Sequence, residues 1–350
     1  MTSAAMSDAP YTIGVIGSGR FGTAVANLLA ENHDVLLYSR NPETIRAVNE
    51  GRHAKGHDMH ERVTATDDLH RVVRACPLLF PVVPSDDFRT MLREVCPLLT
   101  PAHVLIHGTK GLHIDQVFTD GLELRKEDVL TMSELIVRET PVVRVGVVAG
   151  PNLASELAEH QPAAAVIASD FDEVIDLGMS ALASQRFQVY GSREIGGVEL
   201  AGVLKNYIAI ASGMLTGLGY GDNARALLIT RGMAEMIYIA RTLGIAEKAF
   251  LGIAGVGDLI ATCNSELSRN FRVGLGLAAG RSLADIVEEI GEVAEGVKTL
   301  RIIKALSTYG FQAPLAAAMH KVVFEEAPID RMVPFLMRTT GMTDADYIDA

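Results

Sequence analysis

The first half of the chain alternates short apolar runs with segments whose apolar residues recur at helical spacing. Short runs with few polar positions are typical of strands buried on both faces of a sheet. Strands that alternate with helices in this way predict a parallel α/β sheet. The predicted strands cover 12–17, 34–38, 78–83, 103–107, 142–149 and 163–169, and the predicted helices cover 21–31, 42–50, 85–99 and 172–184.

The second half, after about Gly197, consists of long segments rich in Ala, Leu, Ile and Gly at helical spacing. It shows no strand pattern and no internal repeat, so we predict a second, all-helical domain. No Pro- or Ser-rich linker marks the boundary, which we expect near Glu199. The predicted division is a tail at 1–10, a sheet domain at 11–198, a helical domain at 199–340 and a tail at 341–350, with helices at 199–215, 223–243, 270–279, 282–291, 294–309 and 314–325.

The composition is that of a folded globular protein long enough for two domains. Of the 350 residues, 49% are hydrophobic and 21% are charged, unlike the profile of a disordered chain. The formal net charge of −12 argues against nucleic-acid and anionic-membrane partners, because both need a basic surface. An anionic ligand must therefore meet a local concentration of lysine and arginine.

Cysteine usage and the first residues favour the cytoplasm. The three cysteines, Cys76, Cys96 and Cys263, form no CxxC pair, which argues against a disulfide framework and a thiolate zinc site. Residues 1–10 contain neither the basic nor the apolar segment of a signal peptide. A reducing compartment is therefore expected.

A glycine-rich motif, GSGRFG at 17–22, follows the first predicted strand and opens the first predicted helix. Such a motif can be only a tight turn, but this context is that of dinucleotide-binding loops. Gly17 permits the turn, Gly19 lets the backbone approach a pyrophosphate, and Gly22 allows close helix packing. Free N–H groups at the helix N-terminus then face the negative charge. We therefore predict a Rossmann-like sheet domain that binds NAD or NADP.

The end of the second predicted strand bears on the choice between NAD and NADP. A carboxylate there would hydrogen-bond the ribose 2′-hydroxyl of NAD. This chain has Arg40 instead, and a guanidinium can pair with a 2′-phosphate or stack on adenine. NADP is therefore predicted to be at least tolerated, and the alternative is a solvated surface arginine.

Lys205 lies within the most apolar stretch, 200–220. Its charge favours a buried helix over a transmembrane span. A buried ammonium is costly without a partner or a function, and desolvation can lower its pKa so that it serves as a general acid–base. The alternatives are a side chain that extends to the helix end and one that pairs with Glu199.

Two further charged residues stand beside glycines. Lys110 follows the end of a predicted strand within Gly108–Gly111, where open α/β sheets place their ligands. Asp258 follows Gly257 before an apolar segment, and its alternative role is a helix cap. The Ser-Arg-Asn sequence at 268–270 precedes another helical segment and can bring a guanidinium, an amide and helix N–H groups to a phosphate.

No metal site is predicted. His53, His57 and His60 lie in a polar stretch that is more typical of a solvated loop than of a metal site. His103 and His107 share one strand face, and packing is the preferred interpretation for them. The sequence also lacks the GxSxG and HExxH motifs.

A series of motifs follows in one order along the chain. They are Gly17–Ala24, Val83–Ser85, Thr109–Gly111, Gly150–Glu156, Leu204–Asn206, Gly257–Cys263, Ser268–Asn270 and Glu295–Thr299. In this order they resemble the NAD(P)-dependent glycerol-3-phosphate dehydrogenases of the bacterial type, from about Tyr11 to Ala327. The resemblance implies hydride transfer between dihydroxyacetone phosphate and sn-glycerol 3-phosphate. It also implies supply of glycerol 3-phosphate for glycerophospholipid synthesis.

The resemblance implies roles for individual residues. Lys205 is the implied catalytic acid–base, Asn206 and Asp258 would fix its position, and Thr262 lies on the substrate side. The implied cofactor contacts are Gly17, Ser18, Gly19, Phe21, Gly22, Arg40, Lys110, Ala154, Arg269, Val293 and Glu295. The implied substrate contacts are Lys110, Gly150, Asn152, Lys205, Asp258, Ser268, Arg269 and Asn270.

The chain departs from the family pattern at two positions and leaves two rival functions open. Many members have Trp in place of Phe21 and Ser in place of Asn152. A β-hydroxyacid or ketopantoate reductase would share the lysine of the helical domain, and a non-catalytic nucleotide sensor would share the glycine motif. Segment 257–263 with 268–270 favours the dehydrogenase because it supplies phosphate-binding chemistry. A homodimer is expected from the apolar helical half.

Overall fold

An eight-stranded sheet and a separate two-stranded pair occupy the first half of the computed structural model, which describes residues 11–52, 58–119, 121–291, 294–306 and 313–331. The strands are β1 (Ile13–Ile16), β2 (Val35–Tyr38), β3 (Val63–Thr66), β4 (Leu78–Pro81), β5 (Val104–His107), β6 (His113–Ile114), β7 (Val129–Leu130), β8 (Arg144–Ala149), β9 (Ala163–Ser169) and β10 (Phe187–Ser192). The helices of this half are α1 (Arg20–Ala30), α2 (Pro42–Asn49), α3 (Leu69–Ala75), α4 (Ser85–Val95), α5 (Met132–Glu139), α6 (Ala154–Ala158) and α7 (Asp172–Leu182).

The strand order is β10-β9-β8-β5-β4-β1-β2-β3. Neighbouring strands are parallel except β8 and β9. The predicted parallel sheet is therefore confirmed for most of the strands, and the direction is wrong for β9, while β10 is not among the predicted strands. The 13 residues between β8 and β9 contain only the five-residue helix α6. A parallel neighbour usually needs a longer crossover helix that carries the chain back to the amino end of the strand. Here the chain instead re-enters the sheet at the end where it left, and β9 runs antiparallel to β8.

Helices cover both faces of the sheet. Because side chains alternate along a strand, Ile13 and Val15 of β1 pack with α1 and α7, while Ile16 packs with α3 and α4. β1 lies between β2 and β4. The chain crosses to opposite sides of β1 at this point, and open α/β sheets bind ligands at the carboxyl ends of the strands there.

The second half is built from helices. These are α8 (Ile195–Gly217), α9 (Asp222–Thr242), α10 (Asp258–Cys263), α11 (Arg269–Ala278), α12 (Leu283–Ile290), α13 (Glu295–Leu306) and α14 (Pro314–Phe324). Among the described residues no strand follows Ser192, and the prediction of a sheet half followed by an all-helical half is confirmed. The division at Glu199 stays a prediction, and α8 begins four residues before it.

The helix α8 is the centre of the second half. Its apolar window is long enough to cross a membrane by composition, but that window is entirely buried inside the protein. The interpretation of this stretch as a buried helix is confirmed. α11 crosses α8 closely, since a Cβ at Gly213 would lie 2.0 Å from Phe271 O and one at Gly274 would lie 2.0 Å from Ile210 O. This crossing brings the start of α11 beside the middle of α8.

The segment after β5 joins the two halves. Leu112, Ile114 and Leu124 pack in the core of the helical half, and Leu124 N donates to Ala305 O at 3.1 Å. By position this segment belongs to the predicted sheet domain, but its apolar side chains pack with the helices. Lys110, at the start of the segment, therefore lies where the two halves meet.

Candidate active site

The glycine motif lies at the carboxyl end of β1, beside the end of β4. Gly17 has a φ of +119°, and a Cβ there would lie 2.3 Å from Val82 O. A Cβ at Gly22 would lie 1.9 Å from Gly17 O, so α1 can pack this closely only on glycine. At Gly19 a Cβ would meet no described atom within 4 Å. The loop is thus tight on its inner side and open on its outer side.

The N-terminus of α1 fits the pyrophosphate of a dinucleotide. Gly19 is its N-cap, so no side chain caps this described helix end, and its first turn contains no acidic residue. The first N–H groups of a helix have no intrahelical partner and carry partial positive charge. An anionic ligand at Gly19 would supply the missing acceptors.

Two serines join the glycine loop to the end of β2. Ser18 Oγ donates to Ser39 Oγ at 2.7 Å, and Ser39 is buried. Arg40 follows and is exposed beside Asn41, which caps α2. Arg40 is therefore exposed just beyond the carboxyl end of β2, where the adenosine end of a dinucleotide would lie in this kind of fold.

Phe21 and Ala154 lie near this loop. A Cβ at Gly108 would lie 2.9 Å from Cε1 of Phe21, so the Phe21 ring covers the carboxyl end of β5. Ala154 begins α6 and packs, like Phe21, against the sheet core. Both side chains are partly buried, so each keeps some surface exposed to solvent.

The carboxylate of Asp258 lies between two lysines. Lys110 Nζ donates to Asp258 Oδ2 at 2.6 Å, and Lys205 Nζ lies 3.1 Å from Oδ1. Lys205 Nζ also donates to Thr262 Oγ1 at 2.5 Å. Lys110 Nζ donates in addition to Gly150 O at 3.1 Å. Each carboxylate oxygen thus holds one ammonium, although the three residues are far apart in sequence.

The two alternatives for Lys205 are both wrong. The residue is 4% exposed, so its side chain does not extend to solvent. Glu199 is bonded to His107 and Ser133 instead. The helix-cap alternative for Asp258 is also wrong. Asp258 is the first residue of α10, after the N-cap Gly257, and its carboxylate binds the lysines.

Burial and neighbouring charges set the pKa of Lys205. Desolvation and the positive charge of Lys110 lower it to about 8, and the attraction of Asp258 opposes this shift. The group is therefore largely protonated at neutral pH and close to releasing its proton, as a proton donor requires. Cys263 lies nearby, but burial raises the pKa of its thiol to about 12, so it stays a neutral thiol.

Asn206 does not hold Lys205. Its Oδ1 accepts from Asn270 Nδ2 at 2.9 Å, and its Nδ2 donates to Gly202 O at 3.3 Å. Asn270 Oδ1 in turn accepts from Gly296 N at 3.0 Å. The prediction that Asn206 fixes the lysine is wrong because its amide instead joins α8 to Asn270 at the start of α11, and Asn270 in turn binds the start of α13.

The Ser-Arg-Asn sequence forms the N-terminus of α11. Ser268 is the N-cap, and its Oγ accepts from Phe271 N at 3.3 Å. Arg269 is exposed at the first helical position, and Asn270 is buried. The N-terminus of α11 and the exposed Arg269 stand at the same end of this helix, and a helix N-terminus with a nearby arginine suits a phosphate.

Glu295 joins the two halves of the chain. Its Oε1 accepts from Ser85 N at 3.0 Å and its Oε2 from Ser85 Oγ at 2.8 Å, at the N-terminus of α4. Lys298 Nζ donates to the same Ser85 Oγ at 3.0 Å. Burial raises the pKa of Glu295. Sequence reasoning did not assign Ser85 or Lys298, although both lie in quoted motifs.

Of the remaining predicted positions, Asn152 lies within the described residues and several others do not. Asn152 follows Gly150, and its amide, oriented by the hydrogen-bond network, donates to Pro151 O at 3.3 Å and Ala164 O at 3.1 Å. It therefore orients the loop whose Gly150 carbonyl binds Lys110. Val293, His53, His57 and the two predicted tails at 1–10 and 341–350 lie outside the described residues. Among the described residues no group of three or more His, Cys, Asp or Glu could hold a metal ion.

Comparisons with known proteins agree with this geometry. Two family models match consecutive parts of the chain. The model described as NAD-dependent glycerol-3-phosphate dehydrogenase N-terminus covers residues 12–175, and the corresponding C-terminus model covers residues 194–334.

Individual relatives match nearly the whole chain. The glycerol-3-phosphate dehydrogenase (NAD(P)+) of Pseudomonas fluorescens strain SBW25 is 42% identical over 342 residues, which is 96% of this chain and 96% of the relative. The crystal structure of glycerol-3-phosphate dehydrogenase from Coxiella burnetii is 30% identical, with a TM-score of 0.84, and covers 94% of this chain and 99% of that one. A ketopantoate reductase from Ralstonia eutropha, 16% identical with a TM-score of 0.54 over 93% of this chain and 100% of that one, is similar in fold alone.

Proposed function

The chain belongs to the NAD-dependent glycerol-3-phosphate dehydrogenase family, and on that premise we propose that Lys205 is the proton donor and acceptor of the reaction. The protein is an NAD(P)-dependent oxidoreductase that interconverts dihydroxyacetone phosphate and sn-glycerol 3-phosphate. The resemblance predicted from the motifs is confirmed, and the rival reductase and sensor functions are set aside. The roles of single residues are our proposal.

The observation that carries the proposal is the Asp258 carboxylate shared by two lysines. When bound, the dinucleotide supplies the hydride for C2 of the substrate. Lys205 holds a proton on Nζ and delivers it to the C2 oxygen, where negative charge develops. Asp258 keeps that ammonium protonated against desolvation. Thr262 Oγ1 accepts from Lys205 and donates to Asp258 O at 2.6 Å, so it orients the Nζ protons.

The substrate phosphate is proposed to lie at the N-terminus of α11. Arg269, the Ser268-capped helix end and Lys110 would hold the phosphate, and this remote binding would orient the carbonyl for hydride transfer. Gly150 and Asn152 would place Lys110, and Asn206 and Asn270 would place the helix end. The molecule carries a net charge of −12, so these cations act as a local exception to the overall field.

We expect Arg269→Ala to raise KM for dihydroxyacetone phosphate about 10- to 100-fold, because a hydrogen bond to a charged group contributes about 1.5–3 kcal/mol. Initial-rate kinetics would measure the change. Arg272→Ala is the matched control, since Arg272 lies on the same helix and faces Glu289 at 3.9 Å. An unchanged KM in Arg269→Ala would remove this residue from the substrate site.

Arg40 is proposed to bind the 2′-phosphate of NADP. We expect Arg40→Ala to weaken NADPH binding about 10-fold, the loss of one charge-assisted contact, and to leave NADH binding unchanged. Titration of both cofactors by nicotinamide fluorescence would measure this, with Arg46→Ala on α2 as the control. An NADPH affinity untouched in Arg40→Ala would make Arg40 a surface residue.

The choice of substrate has its own test. Oxidation of the reduced cofactor with dihydroxyacetone phosphate, ketopantoate and tartronate semialdehyde should be fast only with the first, because the other two lack the phosphate that Arg269 is proposed to bind.

Supply of glycerol 3-phosphate for glycerophospholipid synthesis and a cytoplasmic location are proposed on the same premise. The three cysteines, all described, are free thiols, which supports a reducing compartment. A homodimer stays a prediction.

A further inference from the structure

A buried polar cluster lies between the sheet and α8, outside the set of proposed substrate contacts. It consists of His107, the last residue of β5, Ser133 of α5 and Glu199 of α8. His107 is 0% exposed and Glu199 is 6% exposed. His107 Nε2 lies 2.9 Å from Glu199 Oε1, and Ser133 N donates to the same oxygen at 2.9 Å.

The chemistry of the groups assigns the direction of these bonds. A carboxylate oxygen only accepts, so Nε2 of His107 carries the proton and donates to Glu199. Ser133 Oγ lies 3.1 Å from the same Nε2. The edge of Phe88 packs against the imidazole at 5.8 Å between ring centroids. Two polar contacts thus meet at Nε2, and one aromatic ring packs against the imidazole.

The contribution of this cluster to the stability of the fold does not explain its presence. Within the described part of the chain, Glu199 Oε2 and His107 Nδ1 are buried without a hydrogen-bond partner. Unpaired buried polar atoms carry a desolvation penalty, and replacement of both partners of a buried hydrogen bond by apolar groups of the same shape can be nearly neutral or stabilising. A role other than stability is therefore expected of the pair.

The place of the pair in the chain suggests that role. His107 precedes Lys110 by three residues at the carboxyl end of β5, and Glu199 precedes Lys205 by six residues on α8. The hydrogen bond therefore joins the two elements that carry the two lysines sharing Asp258. We propose that the His107–Glu199 pair is a positioning device that sets Lys110 against Lys205 and the substrate.

The loop that carries Lys110 needs such an anchor. Gly108 and Gly111 flank it and leave its backbone conformation less restricted. On one side Thr109 Oγ1 donates to Val83 O at 2.6 Å, which ties the loop to the region after β4. On the other side His107 ties the start of the loop to α8. With both anchors, the loop that carries Lys110 is held both to the sheet and to the helical half.

The test compares variants that remove the bond with one that keeps its shape. Glu199→Leu should raise KM for dihydroxyacetone phosphate and lower kcat, with a combined loss in kcat/KM of about 10- to 100-fold, because a small displacement of a positioning group has effects of this size. NADPH affinity should stay at the wild-type value. Glu199→Gln keeps the accepting oxygen, and we expect it to retain the wild-type KM.

A double variant separates positioning from folding. His107→Leu with Glu199→Leu replaces both partners by apolar side chains, which a buried pair tolerates far better than loss of one partner. We expect it to fold with a near wild-type melting temperature and still show the raised KM. Tyr207→Phe is the matched control, because it removes a buried hydrogen bond from the same helix, 2.9 Å long and directed at Glu235, and should leave KM unchanged.

A wild-type KM in Glu199→Leu, or recovery of the wild-type KM in the double variant, would overturn the positioning role. The inference rests on the proposed roles of Lys110 and Lys205, and the two can fail separately. If Lys205→Met abolishes turnover while these variants keep the wild-type KM, only the positioning role is lost. If Lys205→Met keeps its turnover, the proposed role of Lys205 as the proton donor is lost.

Discussion

Lys205→Met is expected to lower kcat for dihydroxyacetone phosphate reduction by at least ~10²-fold, the contribution of a positioned proton donor. Methionine fills the buried, unbranched space of the lysine stem without the ammonium. The developing negative charge on the C2 oxygen would then lose the ammonium that is proposed to stabilise and protonate it. Stopped-flow or steady-state oxidation of NADPH would measure the loss. NADPH affinity should be retained, because the proposed contacts of the cofactor with the glycine loop are untouched.

The pH dependence of the wild-type enzyme tests the same role. The pKa of Lys205 is lowered to about 8, so the ammonium needed for reduction is present below pH 8 and lost above it. The kcat/KM for reduction should therefore fall as the pH rises through about 8. The rate of glycerol 3-phosphate oxidation needs the neutral amine and should rise over the same range.

Lys321→Met is the control for the substitution, because Lys321 is an exposed lysine of α14. It should leave both the turnover and the pH profile unchanged. Near-normal turnover in Lys205→Met, with the protein shown to be folded, would exclude Lys205 as the proton donor. Lys110, the other lysine bound to Asp258, would then be the next candidate.

The sequence predicted the central strands and missed the edges of the sheet for a physical reason. β1, β2, β4 and β5 are covered on both faces and show continuous apolar runs, whereas β3 and β10 end the strand order. Thr64 of β3 and Gln188 of β10 are exposed between buried neighbours. An edge strand that alternates over four to six residues lacks the continuous run on which these predictions depend.

The sequence identified individual residues of the site but not which of them contact each other. Lys205 was identified because a charged side chain in an apolar stretch is costly without a partner or a function. Asp258 was identified because it follows a glycine before an apolar segment. Lys110 and Asp258 are 148 residues apart, and local patterns carry no information on such a contact. Glu199 is another charge at the start of the same apolar helix. Its spacing of six residues from Lys205 puts the two on different faces of α8, so their pairing could have been excluded.

The Ser85–Glu295 contact shows a second limit. The sequence placed Glu295 in a motif, but 210 residues separate it from the α4 N-terminus that it binds. A carboxylate at a helix N-terminus is favourable in general, yet sequence shows only which helices have an uncapped end, not which carboxylate reaches it. Tertiary packing of α13 against the sheet half decides this.

Asp258→Asn is expected to lower kcat at neutral pH by up to about 10²-fold, the scale of a positioned proton donor, and to shift its pH dependence. Asparagine keeps the shape of aspartate but removes the charge that two ammonium groups share. Because Asp258 raises the pKa of Lys205 against desolvation and against Lys110, its loss lowers that pKa further below about 8. The fall in reduction rate should therefore move to lower pH, and less of the enzyme would carry the reacting proton at pH 7.

The stability of Asp258→Asn should fall as well, by up to about 3–5 kcal/mol, because removal of one partner leaves buried charge uncompensated. Glu235→Gln is the matched control, since Glu235 is a buried carboxylate of the same half that accepts from Leu315 N and Ala316 N at the start of α14. It should change the melting temperature and leave the pH profile of kcat/KM in place. A pH profile of Asp258→Asn that coincides with that of the wild type, or moves to higher pH, would contradict the role of Asp258 in holding the proton on Lys205.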